Sequence, residues 1–122
     1  MTNLYKIHIL IFCILCPLFL QAQDYTKEDV DKQIEDFVNK GWYTNASNLM
    51  VEYANYVLDN KDSLSALEYQ IENCKLVDAH LDYFKECGLT SEMYLANYTM
   101  VMFLQRQLGQ IDNSIRTYLT QV

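Results

Sequence analysis

Apolar residues recur every three or four positions through most of the chain after residue 26, which is the spacing of amphipathic α-helices. Strict alternation of apolar and polar residues, which marks a half-buried strand, is not sustained in this region. We therefore predict an all-α fold. The clearest periodic signal lies in the second predicted helix, where six residues share one face: Ala46, Leu49, Met50, Tyr53, Ala54 and Val57.

Glycines and capping residues divide this pattern into about five helices. Gly41, Gly88 and Gly109 stand where helices should end, because glycine readily adopts the left-handed backbone that closes a helix. Asn60 is the corresponding candidate after the second helix. The first three predicted helices run from Lys27 to Lys40, from Thr44 or Asn45 to Asp59, and from Ser63 to Cys87. The fourth runs from Thr90 to Gly109, and the fifth follows Gly109 and extends to Val122.

Two of these helices leave specific questions open. The continuity of the third helix between Cys74 and Cys87 is not fixed by the pattern. Its proposed packing side consists of Leu64, Leu67, Ile71, Cys74, Val77, Leu81 and Phe84. The last helix has an apolar side with no predicted helix after it to cover that side, which is formed by Ile111, Ile115, Tyr118, Leu119 and Val122.

The first 22 residues have the three-part order of a secretory signal peptide. Lys6 precedes an apolar run at 7–20, which at about 1.5 Å per residue is shorter than the roughly 30 Å hydrocarbon core of a membrane. Ala22 follows between two glutamines, and an acidic stretch begins at Asp24. We predict a signal peptide at 1–22 and an exported domain at 23–122. An uncleaved membrane anchor is the alternative.

The exported part is strongly acidic. It holds eight Lys and Arg against sixteen Asp and Glu, which gives a net charge of −8. Because such a chain repels phosphate backbones and anionic membrane surfaces, we expect no nucleic-acid partner. We also expect no stable membrane insertion after signal cleavage.

The residues that could carry chemistry are few. Cys74 and Cys87 would lie about 20 Å apart on one helix, whereas a disulfide needs Cα atoms within about 7 Å, so we predict two buried free thiols. His80 is the only histidine after the signal, and a zinc site needs three or four ligands. Asp78 and Asp82 would share a solvated helix face. We predict no catalytic residue, no metal and no cofactor.

Between Leu95 and Val122 the chain has an aromatic residue at Tyr98, a turn glycine at Gly109, a small residue at Ser114 and a second aromatic residue at Tyr118. With this pattern the region resembles one tetratricopeptide repeat, a pair of antiparallel helices. A weaker copy lies 49 residues upstream, whereas the family spacing is about 34, so the third helix must be longer than usual. The matching residues are Tyr98, Gly109, Ser114 and Tyr118, and upstream Leu49, Tyr56, Asn60, Ser65 and Tyr69. The departures are Met102, Gln105 and Gln121, and upstream Tyr53.

This resemblance implies antiparallel helical hairpins stacked as a right-handed solenoid. The predicted packing faces include four tyrosines that we expect in the core: Tyr53, Tyr69, Tyr98 and Tyr118. The expected function is non-catalytic protein–protein interaction or scaffolding. The inner groove would bind an extended protein or peptide segment that carries an acidic group. Its candidate residues are Thr99, Phe103, Arg106 and Gln107.

Terminal units of a solenoid need a polar outer face, and the last predicted helix has none. We therefore expect residues 23–122 to be the N-terminal part of a longer array. The signal resembles those of Bacteroidetes bacteria, which implies a periplasmic or cell-surface location. One alternative is the N-terminal regulatory region of a larger exported enzyme, such as a caspase-like peptidase, or of a membrane sensor. Another is a free-standing helical bundle.

Overall fold

The computed structural model describes residues 26–121, and this part of the chain contains six helices and no strand. The all-α prediction is confirmed, while the predicted signal peptide at 1–22 lies outside the described residues. None of the six helices is both long and apolar enough to cross a membrane. The helices are α1 (Lys27–Asn39), α2 (Tyr43–Asp59), α3 (Ser63–Ala79), α4 (Leu81–Glu86), α5 (Ser91–Gln107) and α6 (Ile111–Gln121).

The side chains at several helix starts satisfy backbone donors that have no partner within the helix. The Thr26 hydroxyl accepts a hydrogen bond from the Asp29 N–H at 3.3 Å, as its position before α1 predicts. The Asp62 carboxylate accepts from the Ser65 N–H at 3.1 Å before α3. Helix α2 begins at Tyr43, one residue earlier than expected, and its cap position is Trp42.

The connections α1–α2, α2–α3 and α5–α6 share one hydrogen-bonding geometry. Each is three residues long, and its middle residue has a left-handed backbone. That residue donates to the carbonyl three positions back, and the next residue donates to the carbonyl five positions back, which is the Schellman motif. The left-handed residues are Gly41 (φ 75°), Lys61 (φ 64°) and Gly109 (φ 75°).

The left-handed residue after α2 is Lys61 and not Asn60, so that prediction is wrong. Asn60 has φ −88°, and its side-chain amide instead donates to the Tyr56 carbonyl at 2.9 Å. The turn of α5–α6 therefore corresponds to that of α2–α3 with an offset of 48 residues, from Lys61 to Gly109, and not 49. With this offset Ser114 corresponds to Ala66.

A small buried residue follows each of these three turns at the fourth helical position. Ala46, Ala66 and Ser114 are 0%, 1% and 6% exposed. A small side chain at this place lets the helix lie close to its neighbour. In α6 the Ser114 hydroxyl also donates to the Met102 carbonyl of α5 at 3.2 Å.

The third predicted helix is in fact two helices, because His80 leaves the helical conformation with φ −128° and ψ 41°. The His80 ring stacks on Tyr43 at the start of α2, with 3.7 Å between ring centroids. The described chain therefore has six helices where about five were expected. Asp78 and Asp82 lie on different helices, so they do not share a helix face.

Helix α2 packs against α3, α3 against α5, and α5 against α6. The predicted packing face of α2 is buried apart from Leu49, which is half-buried. Two core assignments are wrong: Leu64 is 54% exposed, and Tyr118 is 58% exposed. The buried apolar residues from α2 onward are Ala46, Met50, Tyr53, Ala54, Val57, Ala66, Leu67, Tyr69, Cys74, Val77, Phe84, Val101 and Leu104.

Candidate functional site

An open groove of about 430 Å³ lies between α5 and α6. Its α5 wall is built from residues at helical spacing, so that their side chains share one face. Its α6 wall is built from residues one turn apart. The lining residues are Thr99, Met102, Phe103 and Arg106 on α5, and Ser114, Ile115 and Tyr118 on α6.

Large apolar side chains are uncovered in this groove. Phe103, Ile115 and Tyr118 are 50%, 52% and 58% exposed. The cause is the packing of the two helices, because α5 turns Val101, Leu104 and Gln105 inward and α6 meets α5 through polar contacts. One of these contacts is the Thr117 hydroxyl donating to the Gln105 side-chain oxygen at 2.9 Å.

The apolar surface continues from the groove toward the start of α5. A second, shallower depression is lined by Leu95, Ala96 and Met100, with Glu92 at its edge, and it shares Thr99 and Phe103 with the groove. The two depressions form one surface along α5. A ligand on this surface could be longer than the groove itself.

Of the residues that the structure describes, Arg106 is the only charged one that lines the groove. Within the described part of the chain its guanidinium forms no ion pair. Both arginines of the protein, Arg106 and Arg116, lie on the α5–α6 hairpin. Residues 88–122 carry two acids and two arginines, whereas residues 26–87 carry thirteen acids and six lysines. The groove therefore lies on the neutral part of an acidic chain.

Three of the four predicted groove residues, Thr99, Phe103 and Arg106, share the α5 wall. Gln107 is exposed at the end of α5 but does not line the groove. Sequence reasoning missed the α6 wall, because Tyr118 was assigned to the core and Ile115 to an uncovered apolar side that was not connected with the groove. Periodicity shows which side of a helix is apolar, but it does not show whether another element covers that side.

A second cluster lies where α5 packs on α3. The Asp78 carboxylate accepts hydrogen bonds from the hydroxyls of Tyr94, at 2.7 Å, and Tyr98. Burial and the bond to Asp78 raise the pKa of Tyr98 well above its usual value. The pKa of Tyr94 is raised chiefly by its own bond to Asp78. Both phenols are therefore held protonated, and the cluster fastens α5 to α3.

The two cysteines of the described chain are free, as predicted, but only one is buried. Burial raises the pKa of the Cys74 thiol to about 12, with a smaller contribution from Asp78. Since the thiolate is the nucleophilic form, Cys74 is unreactive at neutral pH. Cys87 is exposed, which corrects the expectation that both thiols are buried.

Across the described residues, no three His, Cys, Asp or Glu side chains are grouped so that they could hold a metal ion. The chain matches no protein-family model, and neither a curated protein nor a solved structure is significantly similar to it. Among the described residues, the α5–α6 groove combines exposed apolar side chains with an arginine that forms no ion pair.

Proposed function

We propose that this protein is a non-catalytic protein-interaction module built from tetratricopeptide-like hairpins, and that the α5–α6 groove is its binding surface. The observation that carries the proposal is the exposure of Phe103, Ile115 and Tyr118 around Arg106. Monomeric proteins rarely leave a contiguous apolar surface uncovered unless it binds something. A protein segment is the ligand that such an elongated groove fits best.

The repeat character is supported by the turns and by the order of packing. Three turns share one hydrogen-bonding geometry, and α2, α3 and α5 each have 17 residues. Helices α2 and α3, and α5 and α6, pack as neighbours in the chain, and α3 packs on α5 past the short α4; sequential packing of this kind is typical of helical solenoids. The offset of 48 residues exceeds the family spacing of about 34, because these helices are long and α4 is inserted.

The groove selects for one kind of ligand. An apolar ligand side chain would pack against Phe103 and Tyr118, and a carboxylate beside it would pair with Arg106. A highly acidic ligand is disfavoured, because residues 26–87 carry seven more acids than bases. The expected partner is therefore a protein segment with an apolar residue next to a single Asp, Glu or C-terminal carboxylate.

The location that goes with this function is outside the cytoplasm, in the periplasm or at the cell surface. It depends on the signal peptide predicted at 1–22. If the protein is the regulatory region of a larger exported enzyme or sensor, the same groove would hold a segment of that larger chain. The chemistry of the bound segment would be the same.

A display library of short random peptides tests the proposed ligand. Peptides selected on the wild-type chain should carry an acidic residue beside Leu, Phe or Trp. Phe103→Ala should weaken their binding by roughly tenfold or more, because a central buried aromatic residue carries much of the affinity of such an interface. Arg106→Glu should shift selection toward Lys and Arg. Leu64→Ala is a matched control on α3, since Leu64 is as exposed as Phe103.

Two results would contradict the proposal. One is a library that yields no enriched peptide on the wild-type chain. The other is a set of peptides whose binding is unaffected by both Phe103→Ala and Arg106→Glu, since such binding would use another surface.

A further inference from the structure

Helix α6 carries an apolar stripe beside the face that packs on α5. Ile111, Ile115 and Leu119 follow one another at four-residue spacing and are 52%, 52% and 63% exposed. The face of α6 that meets α5 does so through Ser114 and Thr117. No described residue packs over these three side chains to bury them. We name this set, Ile111, Ile115 and Leu119, the outer stripe.

One flank of the outer stripe carries a charge of each sign. Asp112 and Arg116 are four residues apart, so they lie on the same side of α6, and both are exposed. Neither takes part in an ion pair among residues 26–121. Each of these charges is therefore available to a second molecule.

We propose that the outer stripe binds the outer stripe of a second copy of this chain, in an antiparallel arrangement with two-fold symmetry. In this arrangement Ile115 lies near the axis, and Ile111 faces Leu119 of the second copy. Asp112 of each copy then lies beside Arg116 of the other. A parallel two-fold arrangement would instead place the charged flanks of the two copies on opposite sides of the interface, where Asp112 and Arg116 could not pair.

The distribution of charge supports a second copy as the occupant. The α5–α6 hairpin is neutral, whereas residues 26–87 carry a net charge of −7. Contact through α6 brings two neutral hairpins together and leaves the acidic helices outside the interface. Two helices of 11 residues bury less than the roughly 1,200 Å² of a typical stable interface, so the dimer should be reversible.

The dimer does not depend on the proposed peptide-binding function, but the two are linked. Ile115 belongs both to the outer stripe and to the wall of the groove. A peptide that packs on Ile115 should therefore compete with the second copy. Arg106 lies only in the groove, whereas Asp112 and Arg116 lie only beside the outer stripe.

Sedimentation of the full chain over a range of concentrations, at low ionic strength, tests the arrangement. The wild type should shift from the mass of one chain toward twice that mass. Asp112→Arg or Arg116→Asp alone should weaken the dimer roughly tenfold, because each replaces two attractive pairs by two repulsive ones. The double variant should restore the wild-type affinity. Mixing the two single variants should give a heterodimer.

Two further variants locate the interface. Leu119→Glu should abolish the dimer, while Leu64→Glu, an equally large change at an exposed leucine of α3, should leave it intact. Arg106→Glu should also leave it intact, which separates this proposal from the peptide-binding one. A chain that stays monomeric throughout, or a double variant as weak as the single ones, would overturn the proposal. So would a dimer insensitive to Leu119→Glu.

Discussion

At the scale of single residues, Asp78 is the side chain whose role changes most between sequence and structure. Its place on an exposed helix face predicts a solvated carboxylate. In the fold it accepts the hydroxyl hydrogens of Tyr94 and Tyr98 and joins α5 to α3. Cys74 lies beside this cluster, and its pKa is raised as well. The phenol protons of Tyr94 and Tyr98 and the thiol proton of Cys74 are thus retained to higher pH in the folded protein than in the unfolded chain.

Because of this cluster, the free energy of unfolding should fall as the pH rises through the alkaline range. A pKa that is raised by folding stabilises the fold below the unfolded pKa, and this contribution is lost as the pH rises through the folded value. For Tyr98 the loss should begin above the usual tyrosine pKa of 10.0, and for Cys74 between 9.0 and about 12. We expect the urea midpoint to fall as the pH is raised from 8 to about 11.

The variant Tyr98→Phe should have a free energy of unfolding about 1 kcal/mol lower at neutral pH, because it loses one hydrogen bond. Its urea midpoint should also decline less steeply as the pH is raised. Tyr118→Phe is the matched control, because the Tyr118 side chain is 58% exposed and lies outside the cluster. Parallel declines in the wild type and in Tyr98→Phe would mean that Tyr98 does not govern the alkaline transition.

At the scale of helices and turns, the same three-residue connection occurs three times. Two of its left-handed positions are glycine, and the third is Lys61, with φ 64°. A residue with a Cβ atom is strained in this conformation, whereas glycine is not. A small buried residue follows at the fourth helical position each time, so the turn and the close helix contact repeat together.

Lys61→Gly should therefore raise the free energy of unfolding by about 0.5–1 kcal/mol, as measured by urea denaturation. Asn60→Gly is the matched control at the neighbouring position. Because Asn60 has φ −88°, glycine there relieves no strain; it increases the entropy of the unfolded chain and removes the hydrogen bond to the Tyr56 carbonyl, so stability should fall. A gain from Asn60→Gly with none from Lys61→Gly would place the left-handed residue where the sequence first suggested.

At the scale of the whole described chain, the packing from α2 to α6 is sequential. Helix α3 packs against both α2 and α5, whereas the main packing partner of α6 among the described helices is α5. In an arrangement of this kind, stability is distributed according to the number of neighbours that each helix has. The middle of the array should be the most protected part and α6 the least.

Hydrogen exchange followed along the chain tests this distribution. In dilute solution, amides of α6 should exchange at least tenfold faster than those of α3, because opening α6 breaks one helix interface and opening α3 breaks two. Raising the protein concentration should protect α6 selectively if the outer stripe binds a second copy. Equal exchange in both helices would indicate a single cooperative unit.

The sequence by itself determined the helical class, most helix boundaries and the buried face of α2, because helical periodicity and left-handed glycines are local properties of the chain. It also placed Thr99, Phe103 and Arg106 on one side of α5. The tertiary structure alone decided that His80 interrupts a helix, that Lys61 closes α2, and that Tyr118 is exposed while Tyr53 is buried. These outcomes depend on which elements meet in space, and an apolar face has the same sequence pattern whether or not a neighbour covers it.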